Sequence, residues 1–360
     1  MDENEFHMYR SIVSQPEKIA HAVISNMDSV ISLGSVMQSG KRGKLFLVGT
    51  GTSLHAAELA YYFFTGNGNG SSAVEALPFS SYEFVNYPPA LSKEDTVMVI
   101  SHRGYKRYSH SALELSARKG CVTVAITGIG STVRKGDADF VFETVEQEKS
   151  SAHTVSFTSA LAILLSISIA SRNSENDATA RIRAVTEKIT SLMDSIIISG
   201  RDVIRNLVSG MTALRRVWIS GSGPNRIIAK EGALKIQETC YLDAYGFEIE
   251  QLIHGPMRAA SIPDDLFIPI IWGENDIRSR ELVKSIAGAG GNLLTISSSS
   301  ADNYNCLHSD IQLEEHLSPF LTVIPLQFLA LYLAAIKGTD PDGFRSTDTF
   351  FSKIDATLKL

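Results

Sequence analysis

Lys44-Leu45-Phe46-Leu47-Val48-Gly49-Thr50-Gly51-Thr52-Ser53 decides the fold: a short apolar run breaks into a glycine-rich turn and then into a helical pattern. Roughly 170 residues later the chain repeats the device, a spacing that means duplicated domains rather than a solenoid. There Arg216-Val217-Trp218-Ile219-Ser220 runs into Gly221-Ser222-Gly223-Pro224-Asn225 and a second helical pattern. The following elements keep step. Thr96–Ile100 answers to Leu266–Ile271, Cys121–Ile126 to Asn292–Ile296, and Asp139–Phe142 to Asp310–Leu313. The helix around Leu161 to Ser168 answers to the one around Leu326 to Ala335. Continuous apolar strands suit parallel neighbours covered on both faces. Right-handed crossovers then make each half a flavodoxin-like, doubly wound α/β sheet flanked by helices, with ligands beyond the carboxyl ends of its strands.

These patterns predict a helical N-terminal arm and first domain over residues 1–195, a second domain over 196–340, and a tail over 341–360. A helical stretch from about Asn173 to Arg205, polar on one face, joins the halves. The formal net charge is −6 and no long face concentrates Lys and Arg, which argues against nucleic acid as a partner. Cys121, Cys240 and Cys306 lack CxxC spacing, so neither a disulfide framework nor a zinc site follows and buried thiols in a reducing compartment are expected. The acidic N-terminus has no basic segment leading into an apolar run, and the apolar stretch 156–170 is too short to span a bilayer. A cytoplasmic chain without membrane contact is expected.

Three loops and one helix carry candidate chemistry. Gly51, Thr52 and Ser53 combine a close backbone approach with two hydroxyls at the positive end of a helix, although a tight connection alone yields a similar turn. The loop lacks the Lys-Ser/Thr ending of a P-loop, and no acidic residue ends the next strand as in a dinucleotide fold. Ser101-His102-Arg103-Gly104-Tyr105-Lys106-Arg107 follows the neighbouring strand and interleaves cations with a hydroxyl, which suits an anion or a solvated basic turn. In the second half, Glu231, Lys235 and Glu238 share a helix face, for which a surface ion-pair ladder is the default reading. His254 precedes a Gly-Pro break in a loop. A carboxylate and a histidine together are able to move protons between adjacent sugar carbons near neutral pH.

Glu231-Gly232-Ala233-Leu234-Lys235 through Glu238, with His254-Gly255-Pro256, resembles the sugar-isomerase (SIS) domain family, specifically the isomerase portion of the glutamine–fructose-6-phosphate aminotransferases. Gly51-Thr52-Ser53 and Ile336-Lys337-Gly338-Thr339-Asp340 extend the likeness over nearly the whole chain. The resemblance implies an enediol-type aldose–ketose chemistry on a phosphorylated sugar or amino sugar, interconverting glucosamine-6-phosphate and fructose-6-phosphate without metal or organic cofactor. It implies Glu238 as the base between C1 and C2, Lys235 beside the reacting oxygens, and His254 as ring opener reaching the partner's site in a homodimer. Thr52, Ser53 and Ser101 would bind the phosphate, in one composite site per subunit. No glutaminase segment and no cysteine at position 2 are present, so glutamine hydrolysis on this chain is not expected. The alternative is a phosphosugar sensor without turnover, or an isomerase subunit paired with a separate glutaminase.

The chain departs from the family at three places. Ser101-His102-Arg103-Gly104-Tyr105-Lys106 stands where the family has Ser-Gln-Ser-Gly-Glu-Thr, so Arg103 and Lys106 replace hydroxyl residues. Ser151-Ala152-His153-Thr154-Val155 stands for Val-Ala-Ser-Thr-Lys, which puts His153 at a sugar-contacting position. The family's C-terminal lysine falls on Thr349 when Arg345 is aligned, and Lys353 lies one turn further on as a candidate substitute.

Overall fold

The computed structural model describes residues 3–39, 43–66, 74–134, 136–211, 213–274, 276–299, 306–308 and 310–358. The chain folds into two compact units. One joins Ser14–Glu148 with His153–Ser191, and the other joins Met1–Val13, Lys149–Ala152 and Leu192–Leu360.

Three short helices open the chain: α1 (His7–Val13), α2 (Gln15–Ser25) and α3 (Met27–Gln38). There follow β1 (Leu45–Gly49), α4 (Thr52–Thr65), β2 (Ala76–Ser80), α5 (Ser81–Asn86), β3 (Thr96–Ile100), α6 (Arg107–Arg118), β4 (Val122–Ile129), β5 (Phe140–Glu146) and α7 (Val155–Ala170). The five strands are parallel in the order β2-β1-β3-β4-β5, the flavodoxin-like arrangement. Alternation along the strands sends Phe46, Val48, Val97 and Val99 to one face, where they meet Phe84 of α5 and Ala112 and Leu113 of α6. Helix α7 is apolar all round and buried along nearly its whole length, packing among α2, α3 and α4. Gly34 lets α3 close on α7, because a Cβ there would stand 2.6 Å from that of Ala170. Within the helical arm α2 and α3 are separate helices. They break at Asn26, whose amide donates to the carbonyls of Ala22 and Glu143.

The 34-residue α8 (Glu175–Val208) leads to the second repeat, as its amphipathic pattern predicts. That repeat comprises β6 (Arg216–Gly221), α9 (Asn225–Cys240), β7 (Asp243–Glu248), α10 (Ile249–Ile253), β8 (Asp265–Ile271), α11 (Ile277–Gly288), β9 (Asn292–Leu293), β10 (Thr295–Ser297), β11 (Cys306–His308) and α12 (Pro319–Lys337). A tail helix, α13 (Thr349–Leu358), ends the described chain. The second sheet is also parallel, in the order β11-β10-β8-β6-β7, with β9 beside β8. Trp218, Phe267 and Ile271 meet α10 and α11 through Leu252, Leu282 and Ile286.

Helix α12 packs on α9 and on α1. With its lead-in it forms a 23-residue helix of mean hydropathy 1.9 in its most apolar window, long and apolar enough to cross a bilayer, yet 89% of that window is buried inside the fold. Such a helix is the core of its unit. Asp310–Leu313 is not a strand. The edge strand here is Cys306–His308, and residues 310–313 lead into α12 with alternate residues exposed.

Candidate active site

At the carboxyl end of the first sheet, β1 ends at Gly49, where any Cβ would collide with the Ser53 carbonyl at 2.3 Å. Gly51 follows with φ +57°, a left-handed conformation that favours glycine, and no atom lies within 4 Å of where its side chain would be. Helix α4 therefore starts at Thr52 without a side-chain cap, and the N–H groups of Ser53 and Leu54 turn back to the Thr50 and Gly51 carbonyls at 3.1 and 2.9 Å.

Thr52 and Ser53 line a small cavity together with His102, His153, Ser156 and the hydroxyls of Thr127 and Thr144 on β4 and β5. The imidazoles of His102 and His153 meet edge to face at 5.2 Å. His102 is 8% exposed and its Nε2 accepts the Glu148 N–H at 3.3 Å. Its other nitrogen, Nδ1, lies against Gly128 and, among the described residues, has no hydrogen-bond partner. Burial, with His153 beside it, holds the His102 pKa down at about 4, so the ring is neutral at pH 7. The fold leaves room for the ring only because residue 128 is glycine: a Cβ there would stand 2.4 Å from Cε1 and 2.5 Å from Nδ1. Glu148 secures the other wall. Its carboxylate accepts the N–H groups of Thr154 and Ser156 at 3.1 and 2.9 Å and so caps α7 directly beside His153.

Ser101 lines a second cavity, with Gly104, Ser109 and His110 of the first α6 turn, and the two cavities share Ile126 and Thr127. Arg103 and Lys106 line neither cavity. Arg103 donates to the Tyr105 hydroxyl at 3.3 Å, and the Lys106 ammonium sits 5.8 Å from the centre of the same ring.

In the other unit, α9 unites three of the predicted residues. The Lys235 ammonium lies 3.4 Å from Glu231 and 2.6 Å from Glu238. The spacing suggested a solvated ladder. Instead Glu231 and Lys235 are 1% exposed, and only Glu238, at 20%, reaches the surface. The small residues of this motif explain the burial: a Cβ on Gly232 would stand 2.6 Å from Leu326, so α9 sits flush against α12.

His254 caps the carboxyl end of α10 and is 73% exposed, its Nε2 3.0 Å from Glu250. Arg278, hydrogen-bonded to that same carboxylate, holds Glu250 below the usual carboxylate range. Lys353 is exposed on α13, a helix without buried residues. What ties the tail down is Arg345, whose guanidinium stacks 4.1 Å over Tyr241, one residue past the end of α9. The Tyr241 hydroxyl donates to the Gly343 carbonyl and accepts from the Arg345 N–H.

Sequence reasoning missed Thr127, Thr144, Ser156 and Glu148. The first two lie near the carboxyl ends of β4 and β5, where ligands of this fold gather, but in strands that carry other polar residues, Thr123 and Glu143, that hide them. Glu148 was detectable as an acid just ahead of a wholly apolar helix.

A family model described as SIS domain matches residues 40–170 and again residues 211–337. A glutamine–fructose-6-phosphate aminotransferase (isomerizing) of Chlorobaculum tepidum is 25% identical over 356 residues. The match covers 94% of this chain and 57% of that relative, so the chain spans little more than half its length. Two solved structures share the fold. The C-terminal domain of the glucosamine–fructose-6-phosphate aminotransferase of Francisella tularensis superposes with a TM-score of 0.79 at 20% identity, covering 94% of this chain and 97% of that one. Tagatose-6-phosphate ketose/aldose isomerase of Escherichia coli gives 0.77 at 17%, covering 95% and 96%.

Proposed function

The chain belongs to the SIS domain family, and from that premise we propose that it is a phosphosugar isomerase or amino-sugar-phosphate deaminase that interconverts glucosamine-6-phosphate and fructose-6-phosphate or a close analogue. The observation that carries this reading is the buried Glu231–Lys235–Glu238 ladder. A lysine taken out of water between two carboxylates is costly to maintain unless it has a task. Glu238 is the one member with solvent access and serves as the base that moves a proton between C1 and C2 of the open-chain sugar. The Lys235 ammonium 2.6 Å away stabilises negative charge developing on the neighbouring sugar oxygen. His254, exposed and oriented by Glu250, opens the ring, and its exposure suits action in a partner subunit of a homodimer. Thr52, Ser53 and Ser101, on neighbouring strand ends, take the phosphate with Arg103 and Lys106, while His102 and His153 contact the sugar.

Incubation with glucosamine-6-phosphate, followed by assay of ammonia and fructose-6-phosphate, tests the reading. Turnover abolished by Glu238→Gln supports it. A second reading, a phosphosugar sensor, is favoured by the basic loop that replaces hydroxyls at 103 and 106. It wins if hexose phosphates raise the melting temperature yet none is converted.

A further inference from the structure

Two imidazoles line the cavity at the start of α4. Among the described residues lining it, they are the only groups able to exchange a proton near neutral pH, since the others are hydroxyl and apolar side chains. The two are not equivalent. His102 is engaged by the fold: its Nε2 accepts the Glu148 N–H, its Nδ1 lies against Gly128, and burial with His153 beside it keeps the ring uncharged at pH 7. His153 is half-buried and lines the same cavity, two residues before the start of α7.

The His153 ring is held from several sides. The Glu148 carboxylate accepts the N–H groups of Thr154 and Ser156 and so sets the backbone that follows His153. The hydroxyl of Ser156, itself buried, lies 3.2 Å from Nδ1, and a partner on one ring nitrogen decides which of the two carries the proton. The His102 ring meets it edge to face. A hydroxyl is enough to hydrogen-bond a sugar, and Thr52, Ser53, Thr127, Thr144 and Ser156 already provide hydroxyls along this cavity. What an imidazole adds in that company is the ability to move a proton.

Opening a sugar ring moves two protons: one leaves the anomeric hydroxyl as the carbonyl forms, and one reaches the ring oxygen as its bond to the anomeric carbon breaks. The function proposed above supplies one group for this, His254. We infer that His153 is a second catalytic residue of ring opening, the base that takes the anomeric proton. In fructose 6-phosphate the O–H electron pair then becomes the second bond of the C2 carbonyl, the C2–O5 pair leaves with O5, and His254 gives O5 its proton. Exchange with water returns both imidazoles to their starting states. The inference rests on the phosphosugar reading and deepens it.

Deuterium uptake at C1, followed by proton NMR in D2O on the full chain, tests it with two sugars, fructose 6-phosphate and 5-deoxyfructose 6-phosphate. The second lacks the hydroxyl that closes the ring, so it stays open-chain while offering Glu238 the same C1 and C2. His153→Asn and His153→Ser, checked to melt with the parent, should slow uptake into fructose 6-phosphate at least about tenfold and change uptake into the open-chain sugar less than about threefold. Equal slowing of both sugars makes His153 a sugar contact and overturns the inference, as does slowing of neither. The phosphosugar reading survives both results as long as the parent exchanges C1 and Glu238→Gln does not. A parent protein that exchanges neither sugar overturns the two readings together.

Discussion

Replacing Lys235 by methionine removes the positive charge between Glu231 and Glu238 while keeping the shape of the stem. At an effective dielectric near 20, an ion pair at 3.4 Å is worth about 5 kcal/mol of gross attraction, and desolvation offsets much of it. What remains after the substitution is decisive: Glu231, 1% exposed, is left buried without its cation. Breaking a buried pair in this way costs about 3–5 kcal/mol. The loss should be greatest at pH 8 and shrink toward pH 5, because protonation relieves a buried carboxylate that has lost its partner. Glu238→Gln should cost less, about 1–2 kcal/mol, since Glu238 is partly solvated and Lys235 keeps Glu231. Urea unfolding of both variants at pH 5 and pH 8, followed by circular dichroism, measures the differences. A Lys235→Met protein as stable as the parent at pH 8 would refute the claim that the ladder is charged and buried.

Three further outcomes follow from the first cavity. Gly128→Ala drives a methyl group into the His102 ring and to 2.6 Å from Gln147, and should cost about 1–3 kcal/mol while weakening sugar-phosphate binding; unchanged melting and affinity contradict it. His102, held down at about 4 by burial, takes up a proton in the unfolded chain near 6.5 but not in the folded one. Its contribution to stability is therefore full above pH 6.5 and is lost as pH falls toward 4, and His102→Asn should flatten that part of the stability–pH curve. Imidazole NMR that shows His102 titrating at 6 to 7 contradicts this. Glu148→Gln weakens the cap of α7 and should cost about 1–2 kcal/mol by chemical denaturation, a loss that an uncapped but equally stable helix would disprove.

The repeated β-turn-α unit and the buried central strands were legible because continuous apolar runs have one good solution. The edge strands β2 and β7 were not: one carries Pro78, the other Gly246, and both are only half buried, so neither has the composition of a strand. Asp310–Leu313 misled for the opposite reason, since its alternation imitates a half-buried strand while serving as a lead-in to α12. Spacing alone placed Glu231, Lys235 and Glu238 on one face of α9. Their burial was hidden because a three-four pattern of charges says nothing about which face meets the core. Ala229, Gly232 and Ala233 carried that information, as small residues that admit a neighbouring helix. In the first cavity, Thr52, Ser53, His102 and His153 were readable from loop position. The carboxylate that holds α7 in place beside His153, Glu148, was overlooked.

Helix α1 has partners more than 300 residues further along the chain. His7 and Met8 donate their N–H groups to Asp342, Glu3 accepts from Tyr332 of α12, and Tyr9 hydrogen-bonds Arg201. An emerging chain therefore holds α1 in waiting until more than 300 further residues have been synthesised, and until then the apolar flank that α1 covers on α12 does not exist. The unit that holds α12 is closed by the segment that carries α1. Fragments that start at the linker helix inherit an uncovered, membrane-like helix and should aggregate, whereas adding residues 3–13 in trans should return them to solution.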